Sequence, residues 1–284
     1  MEELKTPYTP TWCPGCGDYG ILNGLKKALA SLPEGPENIA LVSGIGCAPK
    51  IAQYVNTYRI ETLHGRTLPV ATGLKLANRN LTVIAEGGDG DGMGLGMGHF
   101  IHTARRNLDI AYFIHNNQVY GLTKGQTSPT SEMGMTTKFT PPPKGNVEHS
   151  INIVHMALHA GATFVARSFS ADAKLADILV QAVQHKGFAV VDILQPCVSF
   201  NKVNSYQWYM DRVYPLQSLP DYNSADFAKA AELSTQWGEK IPIGVFYQTE
   251  RPVFEDSLPQ LAGEPLVKQP IDTINIHSLM DELA

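Results

Sequence analysis

Long apolar runs, clustered positive charge and cysteine are all scarce in this 284-residue chain. No uninterrupted apolar segment reaches the roughly 20 residues that a membrane-spanning helix needs. The opening residues, Met1-Glu2-Glu3-Leu4-Lys5-Thr6-Pro7, lack the apolar core of a secretory signal. Lys and Arg number 22 against 27 Asp and Glu, giving a net charge of −5. No basic cluster of the kind that grips nucleic acid occurs. No internal repeat or low-complexity tract is present. These absences predict a soluble cytoplasmic protein with no membrane or nucleic-acid partner. Cys13, Cys16, Cys47 and Cys197 are the whole cysteine supply, which gives neither a disulfide framework nor a ferredoxin-like run of close cysteines.

What the chain does have is apolar content, 43% of residues, enough to bury a full core as one large domain with or without extensions. Apolar spacing predicts a helix over 19–32 with Asp18 as its N-cap, a strand over 39–42, and a helix soon after Lys50. A short strand and turn over 61–66, a helix over 67–78 and a strand over 81–85 follow. Then come a helix over 99–106 and a buried strand over 109–115. Residues 118–148 show no periodicity and carry three consecutive prolines, the mark of a functional loop. Helices over 151–160 and 171–186 alternate with strands over 163–166 and 188–194. This alternation is the pattern of an α/β fold with a mostly parallel, doubly wound sheet and helices on both faces. Residues 1–205 read as the functional domain. Residues 206–284 form a C-terminal extension with one amphipathic helix over 224–237, packed on the same domain or on a partner.

The most informative stretch is 86–98, Glu-Gly-Gly-Asp-Gly-Asp-Gly-Met-Gly-Leu-Gly-Met-Gly, between a strand and a helix. In open α/β sheets ligands bind there, at the carboxyl ends of strands. A dinucleotide fingerprint fails, because two acidic residues stand where a pyrophosphate must approach bare backbone. An EF-hand loop fails because Met93 and Phe100 fall where oxygen ligands are required. A magnesium diphosphate site fits better. Mg²⁺ takes one or two hard oxygens from protein and the rest from phosphate and water. Asp89, between Gly88 and Gly90, offers a carboxylate on a backbone that phosphate can approach. Asn117 and the Val119 carbonyl can complete the set. Glycines at helical positions cost about 1 kcal/mol each against alanine, so they need a reason.

Cys13-Pro-Gly-Cys16, with Cys47 and Cys197 at strand ends, is compatible with zinc or with a [4Fe–4S] cluster. Spacing alone does not separate the two. A thioredoxin-like dithiol is disfavoured because too few residues precede Cys13 for the βα unit it requires.

Gly88-Asp89-Gly90 followed by Asn116-Asn117 resembles the thiamine diphosphate motif. By that resemblance Asp89, Asn117 and the carbonyl of Val119 hold Mg²⁺. A wider set of motifs covers residues 11–201: Trp12-Cys-Pro-Gly-Cys-Gly-Asp-Tyr-Gly20, Gly44-Ile-Gly-Cys47, Gly88-Asp-Gly-Asp91, Tyr120-Gly-Leu-Thr-Lys-Gly-Gln-Thr-Ser-Pro-Thr130 and Pro196-Cys-Val-Ser-Phe-Asn201. In this order they resemble the β subunits of 2-oxoacid:ferredoxin oxidoreductases. The resemblance implies a thiamine diphosphate-binding fold. It also implies a [4Fe–4S] cluster on Cys13, Cys16, Cys47 and Cys197, close to the thiamine. The implied reaction is oxidative decarboxylation of a 2-oxoacid to an acyl-CoA, with CoA as co-substrate and ferredoxin taking the electrons. Tyr120–Gln126 and Cys197–Asn201 are more similar to the 2-oxoglutarate and broad-specificity branch than to the pyruvate branch. Rival readings are a non-redox thiamine diphosphate decarboxylase or synthase subunit with structural zinc, and a non-catalytic thiamine-binding subunit.

The same resemblance implies the remaining roles. Lys50 and Lys124 are expected beside the substrate carboxylates, and His64 beside the diphosphate or aminopyrimidine. Gly44, Ile45, Gly46, Cys47, Gly88, Asp89, Gly90, Asp91, Asn117, Val119, Tyr120, Gly121, Leu122 and Thr123 are expected to form the cofactor-binding surface. Asp91 reads as a helix N-terminal charge in preference to a group behind the metal ligands. His99 and His102 read as packing groups, and Thr130 and Ser199 receive no catalytic role. Thiamine enzymes also need a glutamate at the pyrimidine ring, which in this family lies on a separate domain. With one α/β unit in the chain, an obligate α subunit is expected, in an (αβ)₂ assembly.

Overall fold

The computed structural model describes residues 2–271 and 276–283. Its strands are β1 (Ile39–Ser43), β2 (Tyr58–Glu61), β3 (Thr82–Gly88), β4 (Ala111–Asn116), β5 (Val119–Tyr120), β6 (Gln126–Thr127), β7 (Phe164–Phe169), β8 (Ala189–Leu194), β9 (Val213–Pro215) and β10 (Ile241–Gln248). Its helices are α1 (Asp18–Ser31), α2 (Thr67–Ala77), α3 (Met97–Arg106), α4 (Ile153–Ala160), α5 (Leu175–Gln184), α6 (Tyr206–Met210), α7 (Phe227–Ser234) and α8 (His277–Asp281). Eight strands make one sheet in the order β2-β1-β3-β4-β8-β7-β10-β9, and β5 pairs with β6 in a separate hairpin. Within the sheet, every pairing from β2 across to β7 is parallel; only β10 runs antiparallel to its neighbour β7. The expected α/β sheet is present.

Both faces of the sheet are covered, which is why the central strands carry continuous apolar runs such as 111–114 and 189–191 instead of alternating. Ile39, Leu41, Ile84, Phe113 and Val191 face α1 and α5, through Leu25, Leu29, Leu175 and Leu179. Val42, Val83, Tyr112, Ile114 and Val190 face the opposite layer, where Leu68, Phe100, Val154 and Leu233 come from α2, α3, α4 and α7. Parallel strands bring their carboxyl ends to one edge. Gly44, Asp89, Asn117 and Gln195 therefore gather there, one after each of four neighbouring strands.

Local structure departs from the periodicity in informative places. Asp18 is not a cap: it is the first residue of α1, Gly17 precedes it without a side-chain cap, and its carboxylate is buried. The segment after Cys47 winds as a 3₁₀ helix, Ala48–Tyr54, with Pro49 in its first turn. The short strand expected at 61–66 lies earlier, at the sheet edge, with all four residues exposed. Asp91–Leu95 forms a wide π-type turn closed by Gly96 N–H donating to the Asp91 carbonyl at 3.0 Å. Such insertions cluster at functional sites. His102 is exposed on α3, contrary to expectation, while His99 is half-buried.

No strand is expected from the sequence at β9 or β10, although residues 241–247 are an apolar run of strand length; a strand appended antiparallel at the end of a parallel sheet breaks the βα alternation. Phe246 on β10 is fully buried. Arg167 of β7 is buried too; its Nε donates to Asp192 of β8 at 3.0 Å, and its guanidinium lies 5.4 Å from the Phe246 ring and 5.6 Å from Trp237. Residues 206–248 thus share a core with the sheet. Phe246→Ala should lower the unfolding free energy by about 3–5 kcal/mol through the cavity it leaves. Val267→Ala, on the exposed tail, should change it by less than about 0.5 kcal/mol. Urea unfolding of both variants checks the contrast.

Candidate active site

Asp89 and Asp91 follow β3 and turn to opposite sides. Asp91 is buried, and its carboxylate accepts hydrogen bonds from Ile45 N–H at 3.2 Å, Gly65 N–H at 2.7 Å and the Thr67 hydroxyl at 3.2 Å. His64 Nδ1 stands 3.1 Å from Asp91 Oδ1. One carboxylate so fastens the loop after β1 and the loop before α2 to the π turn. It is not simply a charge at a helix end. Gly44 makes this possible, since a Cβ there would lie 1.9 Å from Asp91 Oδ2. Burial raises the Asp91 pKa, against the amide donors, which lower it.

Asp89 is buried as well. Its Oδ2 accepts from Ser128 Oγ and Thr130 Oγ1, each at 2.5 Å, and its Oδ1 accepts from Asn117 N–H at 3.4 Å. Burial pushes its pKa up to about 6, with the two hydroxyls opposing. Neither aspartate has a Lys or Arg ion-pair partner among the described residues. Asn117 Oδ1 accepts from Val119 N–H at 3.0 Å, so Asn117 and Val119 already form a unit beside Asp89.

A cavity of about 60 Å³ is lined by Ala48 and by every residue of the expected cofactor surface except Gly44. Pockets that enclose a whole cofactor usually measure about 300–1,000 Å³. A second cavity, about 190 Å³, is lined by all four cysteines together with Lys50 and Lys124. Cys47, Asn117, Gly121 and Leu122 belong to both. At Gly121 the wall is thin: a Cβ there would lie 3.4 Å from Cys47 Sγ and 3.9 Å from Cys197 Sγ. The structure therefore brings the two lysines to the cysteine side and His64 to the other side.

The cysteine loops are tied to one another by main-chain and side-chain bonds. Gly17 N–H donates to the Pro196 carbonyl at 3.1 Å, and Trp12 Nε1 donates to the Cys47 carbonyl at 2.7 Å. Gln195 Nε2 donates to Cys16 Sγ at 3.0 Å. Burial raises both the Cys16 and Cys47 thiols, with Asp18 adding to the effect, Cys47 to about 11. Both are therefore neutral thiols at pH 7. Among the described residues no three His, Cys, Asp or Glu side chains converge on an ion-sized point.

Three residues that sequence reasoning did not single out for the site lie just beneath. Cys16 Sγ donates to Asp18 Oδ2 at 3.4 Å, His115 Nδ1 lies 2.7 Å from Asp18 Oδ1, and His115 Nε2 lies 3.0 Å from Glu86 Oε2. Asp18, His115 and Glu86 are all fully buried. Burial lowers the His115 pKa, but the hydrogen bonds to Asp18 and Glu86 outweigh it and bring it to about 9. Ser128 was missed too, since a hydroxyl in an aperiodic loop carries no pattern.

Residues 44–193 match the family model described as "Thiamine pyrophosphate enzyme, C-terminal TPP binding domain". Residues 197–263 match the family model for the C-terminal part of the pyruvate ferredoxin oxidoreductase β subunit. The chain is 45% identical over 262 residues to the 2-oxoacid:ferredoxin oxidoreductase subunit beta of Saccharolobus solfataricus, covering 88% of this chain and 85% of the relative. It is 48% identical over 201 residues to the 2-oxoglutarate oxidoreductase subunit KorB of Mycobacterium tuberculosis, covering 70% and 53%. Its fold is similar to the structure of the 2-oxoglutarate:ferredoxin oxidoreductase from Magnetococcus marinus with 2-oxoglutarate, coenzyme A and succinyl-CoA bound. That match has a TM-score of 0.89 and 38% identity, and covers 100% of this chain and 95% of the other.

Protonation supplies a test of the Asp89 environment. Its pKa is raised from 3.8 to about 6 in the fold, so between those values the folded state holds more protons than the unfolded one and loses stability as pH rises. Asp89→Asn should remove that loss and stabilise the cofactor-free protein at pH 7 by roughly 1–3 kcal/mol. His115 acts higher up: its raised pKa stabilises the fold fully below about 6.5, and this is lost as pH climbs towards 9. Urea unfolding at pH 4, 6 and 9 should show the first limb vanish in Asp89→Asn and the second persist.

Proposed function

The chain belongs to the β subunits of 2-oxoacid:ferredoxin oxidoreductases, enzymes that work with an α subunit, and from this we propose that it holds Mg²⁺–thiamine diphosphate and a [4Fe–4S] cluster side by side and serves the CoA-dependent oxidation of 2-oxoglutarate. The observation that carries the reading is the pair of cavities with a common wall, one lined by the Gly-Asp-Gly and Asn-Asn motifs, the other by four cysteines.

The donor sets fit these groups. Asp89 is a buried carboxylate without a positive partner among the described residues, a state that a cation relieves. Asp89 Oδ1, the Asn117 amide oxygen and the Val119 carbonyl would hold Mg²⁺, with the diphosphate completing the coordination. Asp91 keeps Ile45 and Gly65 in place around it. The cysteine cavity, about 190 Å³, is lined by all four thiols, and a [4Fe–4S] cluster tolerates thiolates scattered along the chain. When bound, thiamine diphosphate supplies the electron sink for loss of CO₂ from a 2-oxoacid, and the cluster takes up the electrons singly.

The chain's own residues bind, orient and exclude water. Lys50 and Lys124 line the cysteine cavity, where they would meet the carboxylates of a dicarboxylic substrate. His64 stands at the rim of the diphosphate cavity. The small volume of that cavity leaves the thiazolium and pyrimidine ends to the α subunit, which would also bring the glutamate that the pyrimidine needs. Ile45 and Leu122, exposed at the rim, would then be covered. The choice of 2-oxoglutarate rests on the relatives from Mycobacterium tuberculosis and Magnetococcus marinus, whose names specify it. Ferredoxin as electron acceptor, CoA as acyl acceptor, an (αβ)₂ assembly and a cytoplasmic setting complete the proposal. Among the described residues no helix is long and apolar enough to cross a membrane.

Anaerobic purification with iron, sulfide and zinc analysis, followed by low-temperature EPR after reduction, tests the reading. About four irons per chain with a reducible signal is the expected result. About one zinc and no iron would sink it in favour of a non-redox thiamine enzyme. Asp89→Ala should abolish Mg²⁺-dependent thiamine diphosphate binding and leave the iron content unchanged.

A further inference from the structure

The Ser128-Pro129-Thr130-Ser131 turn has no part in the chemistry above, yet it makes the shortest contacts to Asp89. Ser128 Oγ and Thr130 Oγ1 both donate to Oδ2, at 2.5 Å each, whereas Oδ1 receives only the Asn117 amide at 3.4 Å. Thr130 Oγ1 also lies 3.0 Å from Asn116 Oδ1, but its single proton serves the shorter contact. Two donors fill both in-plane lone pairs of one carboxylate oxygen. That oxygen has nothing left for a metal.

The turn is held from behind. Ser131 Oγ donates to the Gln118 carbonyl at 2.5 Å and accepts from Ser128 N–H at 2.8 Å. The next residue, Glu132, accepts from Asn204 Nδ2 and Trp237 Nε1 at 3.0 Å each. Ser128 and Thr130 are themselves buried, so the hydroxyls cannot swing away to solvent.

Resting on the cofactor reading, we infer that Ser128 and Thr130 are positioning residues that confine Asp89 to a single metal-facing oxygen and so make the site prefer Mg²⁺ to Ca²⁺. Mg²⁺ demands six ligands at about 2.0–2.1 Å and takes carboxylates through one oxygen. Ca²⁺ takes six to eight, at about 2.3–2.6 Å, and gains from two-oxygen carboxylate binding. A carboxylate with one oxygen already saturated offers Mg²⁺ what it needs and denies Ca²⁺ its second contact.

The test uses the assembled complex with the α subunit, stripped of cation and cofactor with EDTA. Calorimetry then follows thiamine diphosphate binding as Mg²⁺ or Ca²⁺ is titrated. In Ser128→Ala/Thr130→Val the apparent Mg²⁺ affinity should fall about 10–100-fold, as for other groups that orient metal ligands. Ca²⁺ affinity should fall far less, so that the preference narrows. Thr130→Ser, which keeps the hydroxyl, should behave as wild type. Unchanged Mg²⁺ affinity in the double variant overturns the inference, and so does an equal loss for both cations. Thr130→Ser losing as much as Thr130→Val also overturns it, because the effect would then be one of packing. Should the double variant fail to assemble, the two single variants carry the same comparison, each expected to narrow the preference in part. A wild-type complex that binds thiamine diphosphate with no dependence on a divalent cation overturns the metal reading itself, a result separate from any of these.

Discussion

Two carboxylates, Asp89 and Asp91, are buried two residues apart at the end of β3, with no lysine or arginine among the described residues to neutralise them. Leaving such groups unsatisfied would cost several kcal/mol each. The chain meets the demand with dipoles: amides of Ile45 and Gly65 for one, hydroxyls of Ser128 and Thr130 for the other. Those donors come from loops far apart in sequence, so satisfying two side chains fixes the arrangement of the whole carboxyl edge of the sheet. Gly44 is the steric condition for this, because any side chain would occupy the place of the Asp91 carboxylate. Asp91 is thus a structural clasp, and Asp89 a charge held ready.

The cysteine side is built differently. Its loops are joined through hydrogen bonds to backbone carbonyls, with Gly17 on Pro196 and Trp12 on Cys47, and are backed by the buried Asp18–His115–Glu86 series. His115 sits near the end of β4, paired in register with Gly88 of β3. The same two strands therefore frame the Gly-Asp-Gly cavity and anchor the floor beneath Cys16. On the reading proposed above, a cofactor and a cluster resting on one pair of strands would keep a fixed separation.

The sheet could be read from the sequence because β1, β3, β4, β7 and β8 pair in parallel and are buried on both faces, leaving unbroken apolar runs such as 111–114 and 188–191. The motif residues that the sequence groups together also line one cavity, because they stand at the carboxyl ends of neighbouring strands. What failed did so where a side chain's partner is distant. Asp18 looked like a cap, since Asp before a helix usually is one, but its partner His115 lies almost a hundred positions on. Asp91 does stand in the first turn of a helical segment, as expected, but its bonds to Ile45, Gly65 and Thr67 were not legible for the same reason. Ser128, a hydroxyl in a loop, had no periodic signature, and the apolar run of β10 gave no clue to its place, which depends on an edge left open by β7.

That edge has a consequence for the chain as it is made. β7 is buried along its whole length, and the strand that seals its outer side, β10, is synthesised only after α5, β8, α6, β9 and α7. During translation the parallel sheet can assemble through β8 while β7 still presents unpaired N–H and C=O groups beside Phe164 and Phe169. An open apolar edge of this kind invites pairing with other chains. The interval between the emergence of β8 and that of β10 is therefore the time when the nascent chain is most vulnerable to aggregation, and when a chaperone would serve it best.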